Sequence, residues 1–339
     1  MNGERRPAGR GTALTAFTAR GTALAEALAA ALDGHLRTED EPLANWARRS
    51  FESCEALVFV GAAGIAVRTV APLIRNKTED PAVVCVDETG RWVIPLLSGH
   101  LGGANALAER VAALTGGEAV ITTATDLNGA FAVDLWAKKQ GMSILQPERI
   151  KRISAGILRA ETATFVCDRP IEGAPPEHVK VERGTDGDPP ADVRVSFRVI
   201  SSSALQLVPR VLTLGIGCRR GTEASVLEAA LEDFCTERRI LPQAVEQAAS
   251  IDRKQDEAGL ISFCEKHGWP LRFFSAGELG SQEGSFSGSA FVEATVGVDN
   301  VCERAAVCGA GGELIEKKYA RAGVTFALAE RPAVYDWST

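Results

Sequence analysis

The sequence predicts an α/β protein of more than one domain, and three observations carry that reading. Short apolar runs at residues 56–60, 82–86 and 211–216 have the length of buried strands and end at glycines or turn residues. The segments between them carry apolar residues at helical spacing. Finally, 339 residues with 45% hydrophobic and only 6% aromatic content exceed one small domain and supply cores built from Ala, Val and Leu.

Residues 12–17 read as a strand, 21–32 as an Ala/Leu-rich helix and 43–52 as an amphipathic helix. Residues 56–60 form a buried strand ending at Gly61, with a helix at 64–74 and a second buried strand at 82–86. Glu88-Thr89-Gly90 is a turn signal, so 92–97 is expected to pair with the preceding strand. A helix at 102–114 and a strand at 119–122 complete a domain expected over 1–125, an open, mainly parallel sheet covered by helices.

Residues 126–209 are expected to form a small central domain. Helices near 131–140 and 147–160 and a strand at 164–166 give way to Gly173-Ala174-Pro175-Pro176 and the Gly/Asp/Pro run 184–190, which read as irregular loops. Residues 210–339 form a second α/β unit, with strands at 211–216, 245–249, 271–274 and 324–329 and helices at 223–237, 256–267 and 298–306.

A net charge of −7 argues against a nucleic-acid partner. It leaves room for an anionic small molecule held by a local cluster of Arg, Lys and backbone N–H groups. No apolar run is long enough to span a bilayer, and none of signal-peptide length follows Arg5, Arg6 and Arg10, so the chain is expected in the cytoplasm. Eight cysteines lack any C-x-x-C pair and several sit in apolar runs, which fits reduced, buried thiols. The four histidines have no ligand spacing to a cysteine, so no protein-bound metal is expected.

Three strand-to-helix loops carry candidate chemistry. In Val60-Gly61-Ala62-Ala63-Gly64-Ile65-Ala66-Val67-Arg68, Gly61 and Gly64 permit close backbone approach at a helix start that favours anions, with Arg68 one turn in and Arg75-Asn76-Lys77 beyond. The competing reading is a tight turn with a solvated arginine. Ser98-Gly99-His100-Leu101-Gly102-Gly103-Ala104-Asn105 sets a hydroxyl, an imidazole and an amide beside three glycines, and histidine suits proton transfer near neutral pH. The alternative is a structural histidine at a helix start. Leu214-Gly215-Ile216-Gly217-Cys218-Arg219-Arg220-Gly221-Thr222 has G-x-G-x-x-x-G spacing, which departs from the dinucleotide fingerprint, and its arginine fork suits carboxylates. Cys218 reads as a bystander. Lys254 could reach a ligand, Asp256 and Glu257 suit a helix first turn, and Asp126 reads as a cap.

Taken together, these loops resemble the CbiG family of cobalt-precorrin-5A hydrolases. The stretch 56–126, with Lys77-Thr78-Glu79-Asp80-Pro81-Ala82-Val83-Val84 and Pro95-Leu96-Leu97-Ser98-Gly99-His100, is similar to the family's N-terminal domain. Gly215–Gly221 and Thr295-Val296-Gly297-Val298 are similar to its C-terminal domain, which also occurs alone as the CobE-type protein. The middle segment matches in length and position only. Phe286-Ser287-Gly288-Ser289-Ala290-Phe291 departs from the Pro/Ser-rich stretch expected there.

The resemblance implies hydrolysis of a δ-lactone on a cobalt-bearing contracted tetrapyrrole, cobalt-precorrin-5A, to cobalt-precorrin-5B with loss of acetaldehyde, in anaerobic cobalamin biosynthesis. Cobalt arrives with the substrate, so no cofactor is expected. His100 is expected to activate water, with Ser98 or Asn105 orienting it. Gly61, Gly64, Arg68, Lys77, Gly99, Gly102, Gly103, Gly217, Arg219, Arg220 and Lys254 are expected to bind the anionic corrinoid, glycine-rich helix starts supplying oxyanion donors. A homodimer and transient contact with neighbouring pathway enzymes are compatible with this. The competing readings are a non-catalytic corrinoid carrier, which would bind without making acetaldehyde, and a dinucleotide-dependent enzyme, which NAD titration would exclude.

Overall fold

A computed structural model describes residues 11–76, 79–100, 102–184, 190–200 and 202–338, excepting the side chains of Thr125, Asp126 and Phe291. The chain forms two compact units, 1–135 and 136–339.

In the first unit, β1 (Thr12–Ala16), α1 (Ala19–Leu32), β2 (His35–Leu36), α2 (Leu43–Ser53), β3 (Ala56–Val60), α3 (Ala63–Val70), β4 (Ala82–Val86), β5 (Trp92–Leu97), α4 (Ala104–Thr115), β6 (Glu118–Ala119) and α5 (Ala124–Leu127) follow in order, and α6 (Val133–Lys139) leads into the second unit. The sheet order is β2-β1-β3-β4-β5-β6. All neighbours are parallel except β4 and β5, which pair antiparallel. Alternate residues of the apolar strands serve opposite faces. Val58, Val60, Val84 and Val86 pack against α1 and α4, whereas Leu57, Phe59, Val83 and Cys85 pack against α2 and α3. Helices on both faces explain why these strands read as unbroken hydrophobic runs. Trp46 of α2 meets Phe59 edge-on, with ring centres 5.4 Å apart.

The second unit begins with β7 (Met142–Ile144), α7 (Ile150–Leu158), β8 (Ala163–Cys167), β9 (Ile171–Glu172), β10 (Val179–Arg183), β11 (Val193–Val195) and β12 (Leu205–Pro209). The central segment is more regular than its loops suggest, with a five-stranded sheet in the order β10-β8-β11-β12-β7. Pattern missed most of its strands because they are short and β10 alternates as Val-Lys-Val-Glu-Arg at a sheet edge.

There follow β13 (Leu212–Cys218), α8 (Ala224–Arg238), β14 (Val245–Ile251), α9 (Ala258–His267), β15 (Leu271–Phe274), α10 (Ala276–Gly280), α11 (Ala290–Val296), α12 (Cys302–Ala310), β16 (Glu313–Arg321), β17 (Val324–Glu330) and β18 (Tyr335–Asp336). The sheet order is β15-β14-β13-β17-β16, with the first three strands mutually parallel. Large side chains fill the α8/α9 face: Leu214, Leu227, Phe234, Phe263 and Phe326. Ala306, Ala327 and Ala329 fill the α12 face. A tail returns to the central segment, where β18 pairs with β9 and Trp337 stacks on Trp136 at 5.2 Å.

Candidate active site

The antiparallel pairing of β4 and β5 decides where the candidate loops of the first unit lie. Val60 aligns with Val86 at one end of β4, so Gly61 emerges there. Leu97 aligns with Val83 at the other end, so Ser98 emerges on the opposite rim, roughly 15 Å away along a five-residue strand. The Gly61–Arg68 and Ser98–Asn105 loops therefore do not form one site within this unit.

On the Gly61 rim, Gly61 has φ +153°, and a Cβ there would lie 2.8 Å from the Phe17 ring. Its N–H donates to Val86 O at 2.8 Å. No side chain caps α3, and the Arg68 guanidinium folds back towards Gly64, an ideal Cβ on which would be 3.6 Å from Nη1. Lys77 lies outside the described residues.

The Ser98 rim is a closed, self-bonded loop. Ser98 adopts φ +59° and its hydroxyl donates to Asp80 O at 3.1 Å. The Asp80 carboxylate in turn accepts the Arg75 N–H. A Cβ on Gly102 would sit 2.2 Å from the Ser98 Cβ, and one on Gly99 would sit 2.8 Å from Asn105 Oδ1, so both glycines are demanded by the loop's own packing. Gly103, at φ +85°, precedes α4. At this helix start three of the N–H groups are engaged within the loop. The N–H groups of Gly103, Ala104 and Asn105 donate to the carbonyls of His100, Ser98 and Gly99. The Asn105 side-chain amide donates to the Thr123 hydroxyl at 3.2 Å.

The imidazole of His100 faces a group that motif reading missed. Its Nδ1 lies 3.8 Å from Oδ2 of Asp134, with the two side chains 14% and 8% exposed. Burial disfavours the Asp134 carboxylate, but His100 and the N–H groups of Asp134 and Leu135 outweigh it and hold the carboxyl below its usual range. A lone acid inside the apolar run Phe131-Ala132-Val133-Asp134-Leu135-Trp136 was the signal available.

In the second unit the glycine–arginine loop is also internally occupied. Gly215 lies inside β13, where a Cβ would fall 1.8 Å from Cys302 O, and one on Gly217 would fall 2.5 Å from Thr325 Oγ1. Both glycines thus have packing reasons. The Glu257 carboxylate, 6% exposed, accepts the Gly221 N–H at 2.8 Å and Lys254 Nζ at 2.9 Å, and Arg220 Nε stands 3.4 Å away. Arg220 also pairs with Asp256 at 3.0 Å. Arg219 is exposed beside Gly323. Burial pushes the Cys218 thiol up, which suits a bystander.

Burial raises and these three donors more than offset the Glu257 pKa, leaving it lowered. A lowered carboxylate adds stability that is full above its unfolded value of about 4.3 and is lost as pH falls through the folded value. Glu257→Gln is thus expected to cost about 2 kcal/mol in urea unfolding at pH 7. The gap from wild type should narrow as pH falls below that unfolded value and through the lower folded one; a gap that does not change with pH would refute the charge's role.

These features define a multi-segment α/β protein with glycine-built, cation-lined loops and a largely buried His–Asp pair. The regions described as cobalamin synthesis G N-terminal, cobalamin biosynthesis central region and cobalamin synthesis G C-terminus match residues 45–126, 131–209 and 212–329. A relative from Salmonella typhimurium named cobalt-precorrin-5A hydrolase is 36% identical, covering 93% of this chain and 96% of its own. One of the same name from Priestia megaterium is 31% identical over 82% and 79% of the two chains. The CobE protein of a Sinorhizobium is 32% identical over 121 residues, covering 35% of this chain and 79% of its own. The chain belongs to the cobalamin synthesis G (CbiG) family. Among the described residues, no helix is long and apolar enough to cross a membrane.

Proposed function

We propose that this chain hydrolyses the δ-lactone of cobalt-precorrin-5A to give cobalt-precorrin-5B and acetaldehyde in anaerobic cobalamin biosynthesis. The observation carrying the reading is 36% identity, over 93% of this chain, with a relative named cobalt-precorrin-5A hydrolase. We assign the base to His100, which lies partly buried beside Asp134 on a rim built by Ser98, Gly99, Gly102 and Asn105.

In this mechanism His100 takes a proton from water as the hydroxyl adds to the lactone carbonyl. Asn105 and Ser98 keep the loop in shape around that water. The tetrahedral adduct expels the ring oxygen as an alkoxide and leaves a carboxylic acid, which gives its proton to solvent and becomes a carboxylate. The alkoxide lone pair then forms the C=O of acetaldehyde, and the breaking carbon–carbon bond delivers its electron pair to the macrocycle. Cobalt belongs to the substrate, and the chain contributes no metal. In the second unit the guanidinium and ammonium groups of Arg219, Arg220 and Lys254 are of the kind that suits carboxylates such as the substrate's peripheral ones. Arg220 and Lys254 would exchange their present partners Asp256 and Glu257 for the ligand. The reaction is assigned to the cytoplasm, which suits eight free cysteines, five of them buried.

Incubation of the purified chain with cobalt-precorrin-5A is expected to yield trapped acetaldehyde with a matching mass change in the corrinoid. Tight binding of the corrinoid without either product would replace this reading by the carrier function.

A further inference from the structure

We propose that Lys318 of β16 is a further binding residue for the corrinoid, its ammonium taking one of the substrate's peripheral carboxylates beside the first turn of α12. This role rests on the hydrolase reading above and adds a cation that the glycine-rich loops do not contain.

The backbone aims this side chain. β16 is an edge strand, and its register with β17 shifts between Glu316 and Tyr319, so Lys318 stands in an irregularity of the ladder. Its N–H donates to Glu303 Oε1 at 2.7 Å. Glu303, fully buried in the first turn of α12, also accepts the Ser287 N–H at 2.7 Å and the Ser287 hydroxyl at 2.8 Å. A buried carboxylate with three donors is a firm anchor, and irregularities of this kind re-aim a side chain at a sheet edge. Tyr319 packs beside Phe234 on the α8/α9 face, with ring centres 5.3 Å apart. Successive strand residues point to opposite faces, so Lys318 points to the α12 face. Burial pushes the Cys302 thiol up to about 11, and the Thr325 hydroxyl and the Lys318 ammonium oppose that rise, which puts the ammonium near this corner. Thr325 also donates to Gly217 O at 3.2 Å, so the corner adjoins the glycine–arginine loop.

Charge matching supports the assignment. Lys254 and Arg304, each 15% exposed, are paired with Glu257 and Asp299 at 2.9 and 2.8 Å. Arg220 is paired with Asp256 at 3.0 Å. Lys318 is partly buried, and its ammonium has no ion pair or hydrogen bond among the described residues, since Glu303 engages its main chain. A cation drawn partly out of water without a counter-charge is costly. A ligand carboxylate removes that cost without breaking an existing pair, whereas at Arg220 and Lys254 it must displace an acid. The ammonium offers three donors around a point charge, so a carboxylate gains far more from it than a neutral amide does.

Equilibrium binding, read from the corrinoid absorption spectrum, tests this with two probes: a cobalt corrinoid with free peripheral carboxylates and its counterpart in which they are amides. Wild type is expected to prefer the carboxylate form; equal affinity for the two would overturn the proposal without any variant being made. Lys318→Gln is expected to weaken binding of the carboxylate form about tenfold and to leave the amide form unchanged, while Lys318→Arg retains most of the affinity. Lys317→Gln, at the exposed neighbouring residue, should bind both probes as wild type does. Urea unfolding checks that each variant keeps the fold. Wild-type affinity of folded Lys318→Gln for the carboxylate form would overturn the proposal, as would an equal loss for both probes or an equal loss in Lys317→Gln. A wild-type chain that releases no acetaldehyde but shows the carboxylate-dependent loss in Lys318→Gln would remove the hydrolase reading and keep the binding site.

Discussion

Replacing His100 by alanine is expected to slow acetaldehyde release from cobalt-precorrin-5A by about 10²- to 10⁴-fold, the range for loss of a general base. In the proposed mechanism the imidazole takes the first proton, so without it water would have to add unassisted to the lactone carbonyl. The effect should fall on the chemical step. Corrinoid affinity should change little, because a neutral imidazole is not the kind of group that clamps a carboxylate. The fold should survive, since the loop is closed by the His100 carbonyl, the Ser98 hydroxyl and the packing of Gly99 and Gly102, none of which needs the ring. Circular dichroism and corrinoid binding check the fold, and single-turnover trapping of acetaldehyde reads the rate. Release at the wild-type rate from a folded His100→Ala chain would remove His100 from the mechanism.

The largest effect on stability is expected from Gly215→Ala. The added methyl would lie 1.8 Å from the Cys302 carbonyl and 2.7 Å from the Ala306 nitrogen, both backbone atoms of the first turns of α12. A flexible side chain could swing aside; a helix backbone cannot. α12 would have to lift from β13, opening the face where Ala306, Ala327 and Ala329 make close contact. Overpacking of this severity costs about 3 kcal/mol, enough to lower the urea midpoint clearly. Gly277→Ala is the control, since its nearest non-neighbouring atom is the Ser275 hydroxyl at 3.9 Å, and its midpoint should stay within error of wild type. Equal midpoints for the two variants would show that α12 can shift freely and that Gly215 is not needed for packing.

Gly215 illustrates how a motif can be visible while its reason is hidden. Read in order, Gly215-Ile216-Gly217-Cys218-Arg219-Arg220-Gly221 is a glycine and arginine loop that invites a ligand. In space its first two glycines face Cys302 and Thr325, and the Gly221 N–H is held by Glu257. The Ser98–Asn105 loop behaves similarly: its residues stand out in the chain, but its helix-start N–H groups are occupied by its own carbonyls.

What the sequence by itself determined was local. Unbroken apolar runs such as Ala56–Val60 and Ala82–Val86 announced strands covered on both faces, because a five-residue run with no polar alternation has no wet side. Alanine-rich spacing announced α1, α4 and α8, and the combined loops announced the family. Tertiary structure alone decided what those loops face. One antiparallel pairing, β4 with β5, sends Ser98 and Gly61 to opposite ends of a sheet, and strand direction depends on hydrogen bonding to a neighbour rather than on the strand's own residues. Asp134 meets His100, and Glu257 meets Gly221, because folding closes long loops between them; no local spacing encodes either encounter.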